Sequence, residues 1–192
     1  MQIQKNANRS ITHVYTGEVI TFLERPEETD DSSLLIEVTL PPGGKGPDLH
    51  YHLRFEEEFE NIEGSLFVQL NKEEHILGIG ERVIVPKKAH HMFKNASESE
   101  PVTFRVRLSP GHHFEDSMRI LYGLMEDGLI LKAGKFKSLY HGAVILDMQD
   151  TKLAAMPVFL QKGMFGLLAK RARKKGIDEE LKKKYCIRED GE

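Results

Sequence analysis

From residue 11 to about 110 the chain runs in short segments in which Val, Ile, Leu and Phe alternate with polar residues, broken by clusters of Gly, Pro and Asn. The strand-length segments ITHVYTG, VITFLER, SLLIEVTLP, FENIEG, SLFVQLN, RVIVP and PVTFRVRLSP are separated by PPGGKG, EG, GIGE and NASESE, the spacing of hairpins and turns. In the last segment Val102, Phe104, Val106 and Leu108 alternate with Thr103, Arg105 and Arg107, which predicts a strand with one buried and one wet face. Past Pro110 the period changes. Phe114, Met118, Leu121, Leu124 and Met125 fall at helical spacing with Gly128 as a stop. Further helical patterns occupy 135–156 and 157–175, with Pro157 suited to a first turn and Gly176 to an end. The pattern predicts a mainly β unit over residues 1–110 and a helical extension over 111–192 that is not an independent catalytic domain.

At 192 residues the chain is long enough to bury a core without cross-links. Its single cysteine, Cys186, can form no internal disulfide. No N-terminal stretch reads as a basic region followed by an apolar signal core, so a reducing cytoplasm is expected. The longest apolar run falls far short of the ~20 residues a spanning helix requires. The net charge of -3 hides a division: residues 151–192 carry 11 Lys and Arg against 6 Asp and Glu, a net +5, which leaves -8 on the remainder. Such an acidic front portion repels a phosphate backbone, and nucleic acid is not an expected partner.

The densest chemical information lies in GKGPDLHYHLRFEEEFENIEG, residues 44–64. On a strand, side chains alternate faces, so His50 and His52 point the same way. Glu57 follows after a distance that lets the chain turn and present a carboxylate from a neighbouring strand, and PKKAHHMFKN supplies His91 from another hairpin. Three imidazoles and one carboxylate suit a divalent first-row metal at ~2.0–2.2 Å, with Mn, Fe, Co, Ni and Zn all open.

These residues resemble the cupin superfamily. Its first motif is Gly, five residues, His-x-His, four residues, Glu, six residues, Gly, and it is similar to Gly44, His50, His52, Glu57 and Gly64. Its second motif falls at Gly80, Pro86, His91 and Asn95, with Lys88 where the family usually has glycine. That departure bears on the turn before His91, because lysine tolerates positive φ poorly. The resemblance covers residues 11–110 and implies a jelly-roll barrel. It also implies a metal held by His50, His52, Glu57 and His91, and a homodimer.

Neighbouring groups have plainer readings. Glu56 and Glu58 have the opposite parity to Glu57 and are expected at the surface, as is His90 beside His91. Phe59, Asn61 and Phe93 share the ligands' parity and are expected to line the cavity, mainly as packing. His13, His75 and His141 have no partner at a recognisable spacing, and His112 and His113 read as turn residues. In PVFLQKGMFGLLAKRARKKG, Leu160, Met164, Leu167 and Leu168 form a stripe followed by Lys170, Arg171, Arg173, Lys174 and Lys175. The simpler reading packs that stripe on the barrel or a second subunit, and the other lays it on an anionic membrane as a peripheral contact.

With four protein ligands, a six-coordinate ion keeps two positions for water or a bidentate substrate. The leading expectation is a metal-dependent enzyme acting on a small oxygen-rich molecule, a dioxygenase or isomerase type, with no general acid or base evident. The alternative is a non-catalytic module that binds or senses a small ligand. A shared barrel supplies no reaction by itself.

Overall fold

The computed structural model describes residues 9–132 and 134–186. Eleven strands, four α-helices and a short 3-10 turn at Pro26–Glu28 are present among them. The strands are β1 (Ser10–Thr12), β2 (Val19–Glu24), β3 (Leu34–Leu40), β4 (His50–His52), β5 (Glu56–Glu63), β6 (Leu66–Leu70), β7 (Glu73–Leu77), β8 (Arg82–Val85), β9 (His91–Asn95), β10 (Val102–Ser109) and β11 (Thr151–Leu153). The helices are α1 (Phe114–Glu126), α2 (Leu139–Met148), α3 (Val158–Lys174) and α4 (Ile177–Tyr185). One sheet runs β1-β2-β3-β10-β5-β8 and the other β11-β4-β9-β6-β7, and every pairing is antiparallel.

Alternation decides what the barrel buries. Strand β3 buries Leu34, Ile36, Val38 and Leu40, and its partner β10 buries Val102, Phe104, Val106 and Leu108. Their register sets Phe104 opposite Val38 and Val106 opposite Ile36, so the inward side chains meet as cross-strand pairs. On the wet side Arg105 pairs with Glu37 and Arg107 with Glu24 at 3.0 Å each. At the β5–β6 turn Gly64 takes φ +76°, and a Cβ there would stand 2.5 Å from the carbonyl oxygen of Pro101, so glycine is required on both counts.

Helix α1 has two apolar sides. Phe114, Met118, Leu121 and Met125 pack on the barrel core, while Ile120 and Leu124 join a second core with Ile130, Val144, Ile145, Met148, Ala172 and Leu181. The helix thus covers the barrel and carries the extension. No helix among the described residues is long and apolar enough to cross a membrane.

Two expectations about the extension are corrected. The predicted helix over 135–156 is shorter: α2 stops at Met148, Asp150 takes a left-handed φ of +52°, and Thr151–Leu153 pairs with β4 as β11. A helical pattern says nothing about a distant strand that needs a partner, and here β4 supplies the competing hydrogen bonds. The stripe Leu160, Met164 and Leu167 does not pack on the barrel. All three are exposed, and α3 instead buries Gln161, Ala169 and Ala172.

Candidate metal centre

Strand β4 is only three residues long, yet both its edges are paired. His50 stands opposite His91 of β9, and on the other side Leu153, Lys152 and Thr151 of β11 stand opposite His50, Tyr51 and His52. Beyond its end, the Asp150 carboxylate accepts the backbone N–H groups of Leu53 and Arg54 at 2.6 and 2.8 Å. His50 and His52 therefore share an inward face, as two-residue periodicity requires, and the cross-strand register brings His91 beside them. Ring centroids lie 4.2 Å apart for His50 and His91, 5.0 Å for His50 and His52, and 5.4 Å for His52 and His91. One ring nitrogen from each of the three falls within 4.8 Å of the others, and all three residues are buried.

Glu57 reaches the same point from β5, in the opposite sheet. Its Oε2 stands 2.7 Å from Nε2 of His91 and 3.7 Å from Nε2 of His52. Backbone carbonyls hold two of the rings from behind: His50 Nδ1 lies 2.9 Å from the oxygen of Asp48, and His91 Nδ1 lies 3.2 Å from that of Ala89. Such contacts fix the tautomer and aim the far nitrogen inward. Phe55 stacks on His52 with ring centroids 4.2 Å apart.

The donors fit a cation. Buried polar atoms ordinarily find hydrogen-bond partners, yet His52 Nε2 is buried without one, and His91 Nε2 and Glu57 Oε2 have only each other, at 2.7 Å. Donors around one ion at ~2.1 Å stand about 3–4 Å apart, which the carboxylate contacts approach. Without an ion, burial alone would raise the Glu57 carboxyl, but the surrounding imidazoles of His52, His91 and His50 outweigh it and hold it down at about 2. Burial, followed by the neighbouring His91 and His52, lowers His50 to about 3. Burial lowers His52 as well, whereas at His91 burial is outweighed by the hydrogen bond and charge of Glu57, which raise it, so an ion binding here would displace the proton that His91 shares with Glu57. The trio His50, His52 and His91 is thus a cluster that could hold a metal ion, and its chemistry does not name which.

Above the cluster lies a cavity of about 300 Å³, whose apolar walls include Ile20, Ile36, Val38, Phe59, Phe93 and Met118. Phe59 and Phe93 line it as their parity indicates. Asn61 faces inward but does not line it, because its amide donates to the carbonyls of Gly64 and Leu77 and so braces the β5–β6 turn. Glu58 is at the surface, paired with Arg82, and Glu56 is exposed. His90 stacks on Tyr51 outside the barrel, and His112 and His113 are exposed at the turn into α1. His75 and His141 lie away from the cavity.

Three cavity residues had no sequence signal. Glu18, from the start of the N-terminal hairpin, is hydrogen-bonded to Tyr122 of α1, and His13 lies edge-on to the same tyrosine at 5.1 Å. Burial raises the Glu18 carboxyl to about 7, even though the Tyr122 hydrogen bond acts the other way. These groups come from segments more than a hundred residues apart, and only the seating of α1 on the barrel unites them.

Comparison with known proteins fits this architecture. The chain has no match among curated proteins. Among solved structures it is similar to a sugar phosphate isomerase from a cupin superfamily of Silicibacter pomeroyi, at 26% identity and TM-score 0.43 over 48% of this chain and 59% of that one. It is also similar to the polyketide cyclase RemF of Streptomyces resistomycificus, at 24% identity and TM-score 0.42 over 48% and 65%. A third is a predicted oxalate decarboxylase of Thermotoga maritima, at 17% identity and TM-score 0.46 over 52% and 89%. The chain spans less than two thirds of the length of the first two. Residues 36–109 match the family model described as "Cupin domain". That stretch contains all four inward donors, from His50 to His91, and the strands that carry them, and over it the chain is similar to the cupin superfamily.

Proposed function

We propose that this protein is a metal-dependent enzyme, in which His50, His52, His91 and Glu57 bind one divalent transition-metal ion and the cavity above takes a small oxygen-rich molecule with an apolar body. The observation that carries this reading is the convergence of three buried imidazoles and one buried carboxylate beneath an apolar cavity, with no other polar side chain to satisfy their inward atoms. A divalent ion at that point supplies Lewis acidity to a chelating pair of oxygens or to a bound water.

The residues of the chain do the rest. His50 and His91, braced by the Asp48 and Ala89 carbonyls, would hold the ion together with His52, and Glu57 would contribute the negative charge. Phe59, Phe93, Ile36 and Val38 exclude water and favour a flat hydrocarbon framework, because a ring of sugar hydroxyls would lose hydrogen bonds to solvent without replacement there. That favours the dioxygenase type, on a diketone or flavonol, over an isomerase of a sugar derivative. With its carboxyl raised to about 7, Glu18 can hold or release a proton near neutrality, the range in which a general acid or base works best.

The test is elemental analysis of the purified chain, followed by oxygen-uptake and product assays with the Mn-, Fe- and Ni-loaded forms. One ion per chain and turnover of a diketone or flavonol are expected, both abolished in His91→Ala. A chain that takes up none of these ions overturns the metal centre. Ligand binding without turnover by any metal form replaces the enzyme with a small-ligand-binding module.

A further inference from the structure

Helix α3 presents a face that nothing among the described residues covers. Its inner side is fixed: Gln161, Ala169 and Ala172 are buried, and the Gln161 amide bonds the backbone of Leu153 and Met156. On the outer side Phe159 is 75% exposed, and Leu160, Met164 and Leu167 are 43–49% exposed. At ~100° per residue these four, with Gly163 between them, fall within an arc of roughly 140°. Side chains built at Gly163 would meet nothing within 4 Å, so this is open surface.

The second half of the helix turns the same arc cationic. Lys170, Arg171 and Lys174 lie on it, and Lys175 follows at its edge over the ring of Tyr140. Among the described residues, Lys170, Arg171 and Lys174 have no ion-pair partner, whereas Arg173, on the inner side, pairs with Asp147 and Asp178. An apolar half with a protruding phenylalanine, continued by unneutralised cations, matches the two layers of an anionic lipid interface: acyl chains first, phosphates next. A second copy of this chain fits it poorly. Parallel pairing about a twofold axis would stack the cations, and antiparallel pairing would bury them against the partner's apolar half.

We propose that α3 docks this protein on anionic membrane surfaces, with Phe159, Leu160, Met164 and Leu167 entering the acyl boundary and Lys170, Arg171 and Lys174 binding lipid phosphates. The net charge of -8 on residues 1–150 restricts docking to this end of the molecule, since an anionic surface repels the rest.

The experiment is co-sedimentation of the full chain with phosphatidylcholine vesicles, with and without phosphatidylserine, at low and high salt. Binding to the anionic vesicles at low salt is expected, weakened by salt and nearly absent on neutral ones. Each cation contributes roughly fivefold, so the triple variant Lys170→Gln, Arg171→Gln, Lys174→Gln should bind about 100-fold more weakly. The double variant Phe159→Ser, Met164→Ser should also release the protein. Phe159 and Met164 belong to neither hydrophobic core, so thermal midpoint and metal content should stay unchanged, which separates this result from the fate of the metal centre. Absence of binding, or binding indifferent to both variants, overturns the proposal. So does light scattering that shows a dimer which the Phe159→Ser, Met164→Ser variant dissociates, because the face would then join two copies.

Discussion

In the barrel, strands such as β3, β5 and β10 turn their apolar side chains to one side and leave the other to ion pairs such as Arg105–Glu37 and Arg82–Glu60. In the extension, α2 buries Gly142, Ala143, Val144 and Ile145 in succession, while α3 holds five large apolar residues in solvent. The contrast has a simple origin. A strand in a closed sheet has both neighbours and both faces assigned by register, so parity alone fixes the environment of every residue. A helix has no such constraint: which arc it buries depends on what lies beside it, and an arc can be left open for an outside surface.

The sharpest way to break this division is to remove the part of the extension that enters the barrel. A chain ending at Met148 lacks β11 and the Asp150 clamp, and β4 keeps only its single pairing with β9. Loss of metal uptake and of a cooperative unfolding transition is expected by calorimetry and metal titration. A shortened chain that still unfolds cooperatively and binds metal with unchanged affinity would show the two regions to be separable. Next in size is a paired substitution. Phe104→Ala in the barrel should cost about 3–5 kcal/mol of unfolding free energy, whereas Phe159→Ala on α3 should stay within about 0.5 kcal/mol, both measured by urea denaturation.

A smaller effect comes from Glu18, where barrel and helix meet. Its carboxyl is raised to about 7 from 4.5, so between those values the folded chain keeps a proton that the unfolded chain releases. Stability linked to that proton is complete below pH 4.5 and is lost as pH rises through 7. Glu18→Gln removes the loss. The variant should gain about 2 kcal/mol relative to the parent at pH 8 and nothing at pH 4.5, a figure reduced from ~1.4 kcal/mol per pKa unit because the side chain is partly exposed. The smallest change is at Lys88, which occupies the left-handed region at φ +71°. Lys88→Gly should stabilise the chain by about 1 kcal/mol, read as a rise in thermal midpoint, and leave metal affinity unaltered.

Alternation made the barrel legible: β2, β3, β6, β8 and β10 fall where the apolar period of two places them. The donors were legible for the same reason, because His50, His52, Glu57 and His91 lie on strands whose parity can be counted. Lys88 illustrates what motif reading adds, since its substitution for glycine marked the left-handed turn before His91. Strand β7 was not legible: Glu73, Glu74 and His75 carry no apolar alternation at a sheet edge. Strand β11 was hidden in a helical pattern, since its cause is β4, a hundred residues earlier. Glu18, Tyr122 and His13 stayed out of reach because no spacing along the chain encodes the way α1 lies across the barrel mouth.

Gln161 has an effect out of proportion to one side chain. Its amide oxygen accepts the N–H of Leu153 and its amide nitrogen donates to the carbonyl of the same residue, both at 2.9 Å, so it imitates the next strand of the sheet. An edge strand normally offers such groups to any passing backbone. Here the last rung is already occupied, and the ladder that begins at β7 terminates within the molecule. A neighbouring chain seeking to prolong the sheet would find this border closed, and self-assembly by strand addition must look to β7 or to the other sheet.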